Sequence, residues 1–174
     1  MRHAAATGPD TPPRPAATRS RTARAKRWLR GEPLGVPSHA LVVHFPAALL
    51  PTSLVFDLGQ RWDPALALGD GAAALLVLGL LGGGVAAGTG LLDWLDMIPG
   101  SARRARATRH LLVQAAALAG FLLSLLLRFA AGTLTQPPPG AILVSALATI
   151  VLLLGNHLGG LLVYRDAMRV RTGR

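Results

Sequence analysis

The sequence predicts an all-α polytopic membrane protein, a bundle of four transmembrane helices behind a disordered basic N-terminal tail. Three observations carry that expectation. Hydrophobic residues make up 51% of the chain and charged residues only 15%, whereas soluble domains hold about 25% charged residues. The apolar residues fall into separate runs, each about the 20 residues needed to cross a hydrocarbon core. The 18 Lys and Arg residues are spread unevenly over the segments that join those runs.

Residues 1–37 are rich in proline, poor in large apolar side chains, and carry a basic run at Arg19, Arg21, Arg24, Lys26, Arg27 and Arg30. Such a segment buries too little apolar surface to offset the entropy of ordering it, and it reads as a disordered cytoplasmic tail. The first apolar run starts far from the N-terminus and lacks a small-residue cleavage pattern, so it is expected to stay in the mature protein. The membrane domain spans 38–164, with helices expected at about 39–58, 72–94, 110–131 and 141–164, and 165–174 form a short basic cytoplasmic tail. Pro37-Ser38 and Asp70 offer N-caps for the first two helices, and Pro137-Pro138-Pro139-Gly140 separates the last two. Pro46 and Pro51 should kink the first helix. Trp62, Trp94 and Tyr164 fall at expected interfaces, where amphipathic rings are favoured.

With four spans, the N-terminal tail, the second loop and the C-terminus share one side, which collects sixteen of the 18 basic residues. The positive-inside rule makes that side cytoplasmic, in a bacterial inner membrane, with attraction to anionic lipid as a secondary effect. Nucleic acid is not expected as a partner, because the tail's one aromatic is Trp28 and no reader motif is present. The absence of cysteine excludes thiol catalysis, Cys-ligated zinc and iron–sulfur clusters held by this chain. No nucleophile setting and no phosphate-cradling loop with lysine appear, so the chain does not read as an independent enzyme.

Polar or small residues recur at spacings of three and four on each helix. The rows are His44, Ala48, Thr52; Gly79, Gly82, Ala86, Thr89, Asp93, Asp96; His110, Gln114, Ala117, Phe121, Ser124, Arg128; and Ser145, Thr149, Asn156, Gly160, with His157 beside Asn156. The first and third helices begin on the cytoplasmic side while the second and fourth end there. His39, His44, Asp93, Asp96, His110 and His157 therefore share one leaflet, the opposite half has little comparable, and Arg128 and Asp57 are expected to reach water at that far interface. Asp96 and Arg103 to Arg109 read as solvated loop charges.

Ionisable groups at membrane depth are costly and usually functional. Two imidazoles from different helices suit a b-type haem, and His44 with His157 is the deeper matched pair, His39 with His110 the alternate. A transition-metal site built from His44, His157 and Asp93 is a second reading. A third is interhelical fastening, in a non-redox structural or partner-binding protein. Expected partners are the bilayer, a separate redox protein and a second copy of the chain.

The run from Pro37-Ser38-His39 through Val43-His44-Phe45-Pro46 to Pro51, with Gly90-Leu91-Leu92-Asp93-Trp94, His110 after an arginine-rich loop, and Gly159-Gly160-Leu161-Leu162-Val163-Tyr164, resembles a family of bacterial predicted membrane proteins, domain of unknown function 2231. The resemblance covers about Gly35 to Val170. Some members look fused to Rieske-type iron–sulfur domains, which implies a redox association. In a chain without cysteine that partner must be a separate protein.

Overall fold

The structure is a computed structural model that describes residues 21–31, 33, 35 and 37–165. The expectations for residues 1–20 and 166–174 lie outside the described residues. Every element described is helical: α1 (Arg21–Leu29), α2 (Ser38–Val42), α3 (His44–Trp62), α4 (Gly69–Leu95), α5 (Ala102–Ala130) and α6 (Pro139–Tyr164), with a 3-10 turn at Pro64–Leu66. Among the described residues four spans are long and apolar enough to cross a membrane, namely α2 with α3 (Ser38–Trp62), α4, α5 and α6.

Local chemistry sets the ends of these helices, and in places it differs from the expectation. Neither Ser38 nor Asp70 acts as a cap. Ser38 Oγ instead donates to the Leu29 carbonyl. The start of α4 is capped by Gln60, whose Oε1 accepts from the N–H groups of Leu68 (2.6 Å) and Gly69 (3.2 Å). The arginine-rich loop is largely helix, because Ser101 accepts from the Arg104 N–H and starts α5 eight residues before the expected boundary. The first span is interrupted at Val43, which keeps helical backbone angles, because Pro46 has no N–H to give the Val42 carbonyl four residues earlier.

Residues 21–29 form the short helix α1. Lys26 and Arg30, one turn apart, reach the acidic end of α4: Lys26 Nζ lies 2.7 Å from Asp96 Oδ1, Arg30 Nε lies 3.3 Å from Asp93 Oδ1, and Arg30 also pairs with Asp96. Asp96 is therefore not a free loop charge. Its anchoring cations hold its carboxyl below the usual carboxylate range, chiefly through the hydrogen bond from Lys26.

Within the membrane domain, α3 packs on α4 and α5 on α6, and these two hairpins meet along a looser seam. Lipid tails are as apolar as leucine, so close packing holds the helices together. The core joins Leu50, Leu76, Ala117, Phe121, Ala148 and Leu152. Gly79 admits Leu50, whose Cδ2 lies 2.7 Å from where a β-carbon would stand. The buried row of the first span is Pro46, Leu50, Ser53 and Asp57; the expected row is not buried, since His44 and Ala48 are exposed.

The hairpins are quasi-equivalent. Displacing the first along the chain by 71 residues, the separation of Asp57 and Arg128, lays His39 on His110, Leu50 on Phe121, Ser53 on Ser124 and Asp57 on Arg128. On the returning helices the displacement is 69 residues, two fewer, and sets Ala72 on Ala141, Ala86 on Gly155 and Gly90 on Gly159. Buried positions match buried positions: Leu50, Phe121, Ser53, Ser124, Ala72 and Ala141 are all fully enclosed. Two parallel repeats of a helical hairpin account for this correspondence.

Candidate functional site

At the end of the seam where α2 and α5 begin lies an apolar cavity of about 300 Å³. One wall is the small-residue face of α4, including Gly83, Ala86, Ala87 and Gly90, and the other is α5 from Ala107 to Leu118. Trp94 and Met97 line its outer end. Trp94 is fixed there, its indole N–H donating to Thr108 Oγ1 at 2.9 Å and the Arg104 guanidinium stacking 4.1 Å above its ring.

Two histidines enter this cavity from equivalent places in the two repeats. His39 Nδ1 donates to the Ala86 carbonyl at 2.9 Å, and His110 Nδ1 to the Gly155 carbonyl at 2.8 Å. A glycine seats each ring. A β-carbon at Gly90 would stand 3.0 Å from His39 Cε1, and one at Gly159 would stand 2.9 Å from His110 Cε1. Because a carbonyl oxygen can only accept, the neutral rings carry their proton on Nδ1 and a lone pair on Nε2. Among the described residues no hydrogen bond reaches either Nε2. A carbonyl on Nδ1 is the arrangement that orients an imidazole to give Nε2 to a Lewis acid.

The other candidates lie elsewhere. His44, at the first residue of α3, and His157, one position round α6 from Asn156, are exposed and do not line the cavity. Asp93 is buried against Arg30. The set His44, His157 and Asp93 is not assembled, and among the described residues no three His, Cys, Asp or Glu side chains stand close enough to hold a metal ion.

Two polar features escape the sequence reading. Gln114, one turn beyond His110, lines the cavity, donates from its Nε2 to Asn156 Oδ1 at 2.8 Å, and leaves its buried Oε1 without a partner. At the opposite end Arg128 does not reach water. Its guanidinium pairs with the Asp57 carboxylate, both side chains having no exposure, and donates to the Leu134 carbonyl at 3.1 Å. Eighteen residues past each histidine, about 27 Å along a helix, the two repeats thus meet again. The signal for that pair was present in the third helix's row, which ends on Arg128 and is buried throughout its second half.

Searches of curated proteins and of solved structures return no match to this chain. The profile of the family described as Predicted membrane protein (DUF2231) matches residues 35–172, a stretch that takes in both hairpins and the histidine cavity, and the chain therefore belongs to that family.

Proposed function

We propose that this chain is a redox-associated subunit of the bacterial inner membrane that holds a b-type haem between His39 and His110. The observation that supports the reading is the matched pair of rings: two imidazoles from quasi-equivalent positions, each tied through Nδ1 to a backbone carbonyl, each with Nε2 left to one apolar cavity. This is the alternate of the two pairs expected from the sequence. The exposure of His44 and His157 favours it over the deeper pair.

The residues present suit the group. The glycine and alanine wall of α4 brings backbone close to the cavity and leaves a flat face for a planar macrocycle. Arg104 and Arg109, at the start of α5, supply cations near the outer end for acidic substituents. When bound, haem supplies a one-electron couple whose potential is tuned by its axial ligands and their hydrogen bonds. In this chain the Ala86 and Gly155 carbonyls fix the tautomer and the orientation of both imidazoles, and the apolar walls limit water. The concentration of basic residues at this end supports a cytoplasmic orientation for it. The electron partner is a separate protein.

The test is a visible absorption spectrum of protein purified in mild detergent from a haem-replete host, recorded oxidised and after dithionite. The expected result is a Soret band that shifts on reduction, is lost in His39→Ala and in His110→Ala, and persists in His44→Ala and His157→Ala. A colourless protein that takes up no added haemin overturns the proposal, and a band that survives loss of either cavity histidine overturns the pairing.

A further inference from the structure

The two helices that wall the histidine cavity are held differently at different depths. At the outer end contacts clasp α4 to α5: the Trp94 indole donates to Thr108 Oγ1 at 2.9 Å, the Arg104 guanidinium stacks on the Trp94 ring, and Arg104 Nη1 donates to the Met97 carbonyl at 2.9 Å. Deeper along the same seam the side chains are mostly small. The lining residues that are exposed are Ala87, Gly88 and Leu91 on α4 and Ala115 on α5. A β-carbon at Gly88 would meet nothing within 4 Å. Gly88 lies seven residues inside the Leu95 end of α4, about 10 Å along the helix, and Ala115 lies about 8 Å beyond His110 on α5. Both therefore stand at the level of the acyl chains. The small pair is not repeated at the other seam, where the corresponding places carry His157 and His44.

We propose that the cavity takes its ligand from the bilayer, through a lateral opening framed by Ala87, Gly88, Leu91 and Ala115. The route rests on the haem reading for its cargo, a planar macrocycle with acidic substituents on one edge. Such a molecule leaves water for the membrane because its ring is apolar, and it keeps its acidic edge at the headgroups. Edge-on entry between α4 and α5 carries the ring past Gly88 toward the two Nε2 atoms, while the acids stay level with Arg109, one residue before His110. Passage through the outer end requires the Trp94 and Arg104 contacts to break. Lateral entry leaves them in place.

The experiment follows uptake by the full chain in liposomes preloaded with one of two probes. Haemin is read by its Soret band. Metal-free protoporphyrin is read by quenching of Trp94, in a background where the exposed Trp28 and Trp62 are replaced by Phe. Protoporphyrin needs no axial ligand, so it reports entry apart from coordination. Gly88→Phe, and Ala115→Phe from the opposite side, should each slow both uptakes on the order of tenfold, near the low end of the range over which on-rates vary among variants of one site, and leave the final amplitude unchanged. Thr108→Val, which removes the indole's partner at the outer clasp, should take up both probes at the wild-type rate. An unchanged rate in either phenylalanine variant, a faster rate in Thr108→Val, or no protoporphyrin uptake by the wild type overturns the route. Protoporphyrin uptake that the phenylalanine variants slow, with no shifted Soret band from haemin, overturns the histidine pairing and leaves the route standing.

Discussion

The two ends of the bundle treat the same kind of position in opposite ways. Where the spans begin, corresponding residues of the two repeats are identical, His39 and His110, and each satisfies its Nδ1 inside its own hairpin. At the far end the corresponding residues are opposite, Asp57 and Arg128, and each satisfies the other across the seam. A like pair leaves two lone pairs facing a cavity; an unlike pair leaves no charge to offer. Polar residues inside a membrane therefore divide by where their capacity goes. The far pair fastens the hairpins, and the near pair is the one on which the proposed function rests.

Breaking the far pair should have the largest effect. Arg128→Ala leaves the Asp57 carboxylate buried among apolar helices, and removing one partner of a buried ion pair costs about 3–5 kcal/mol. In a membrane domain this should appear as a large fall in melting temperature and in the yield of monodisperse protein. The double variant Asp57→Leu with Arg128→Met removes both charges and should melt well above the single variant. A double variant no more stable than Arg128→Ala would show that the guanidinium's bond to the Leu134 carbonyl, not the charge pair, ties the loop down.

The near end should be sensitive in a different currency. Replacing Gly159 by Ala places a carbon 2.9 Å from His110 Cε1, and Gly90→Ala does the same at 3.0 Å to His39. The rings must turn or shift while the imidazoles remain. Alanine is the better helix former by about 1 kcal/mol, so the fold should hold while Soret absorbance at limiting haemin falls, since displaced support of a ligating ring costs about 10–100-fold in affinity. The two substitutions should act alike, because they occupy corresponding places. A large loss in one and none in the other would contradict the equivalence of the repeats.

How much of this was legible follows from particular residues. Span number, the breaks between spans and the buried row of the third helix from His110 to Arg128 were all available from spacing, because apolar length and a period near 3.6 survive any tertiary arrangement. The first span misled. Its His44 sits in a polar row with Ala48 and Thr52, but Val43 interrupts the helix, and the face that turns inward carries Pro46, Leu50, Ser53 and Asp57. The row at spacings of four thus names an outward face of that span. Nor could Asp57 and Arg128 be paired from hydropathy, which scores each as a charge near an interface. The displacement by 71 residues pairs them, but few identities mark it, so structure had to supply the register.

A smaller effect is expected from acid on α1. The Asp96 carboxyl is held below the usual range, first by the hydrogen bond from Lys26 and further by Arg30. A depressed acid contributes its stabilisation fully above the ordinary carboxylate pKa and loses it as the pH falls through the lowered value. The docking of α1 should thus be constant from neutral pH to about pH 5 and weaken below about pH 4. Hydrogen exchange of the Arg21–Leu29 amides, corrected for intrinsic rates, should accelerate over that window and leave the spans unchanged. The Lys26–Asp96 pair lies at the surface, where solvent screens it, so the contribution is modest. Asp96→Asn should remove most of the pH dependence, whereas an undiminished dependence in that variant would contradict the assignment to Asp96.

The smallest effect is expected where the sequence alone drew most attention. His39 and His44 are five residues apart, about 140° round a helix, so one histidine facing the seam obliges the other to face away. On α6 the same rule acts at a single step: Asn156 meets Gln114 across the interface, and His157, about 100° further round, is turned outward. His44→Ala and His157→Ala remove exposed side chains that make no hydrogen bond among the described residues, and each should change stability by less than about 0.5 kcal/mol. Their spectra with haem should match the wild type. If His157→Ala bleached the Soret band while His110→Ala did not, the inward face of α6 would have to be redrawn, and with it the equivalence between Gly90 and Gly159 on which the site's symmetry rests.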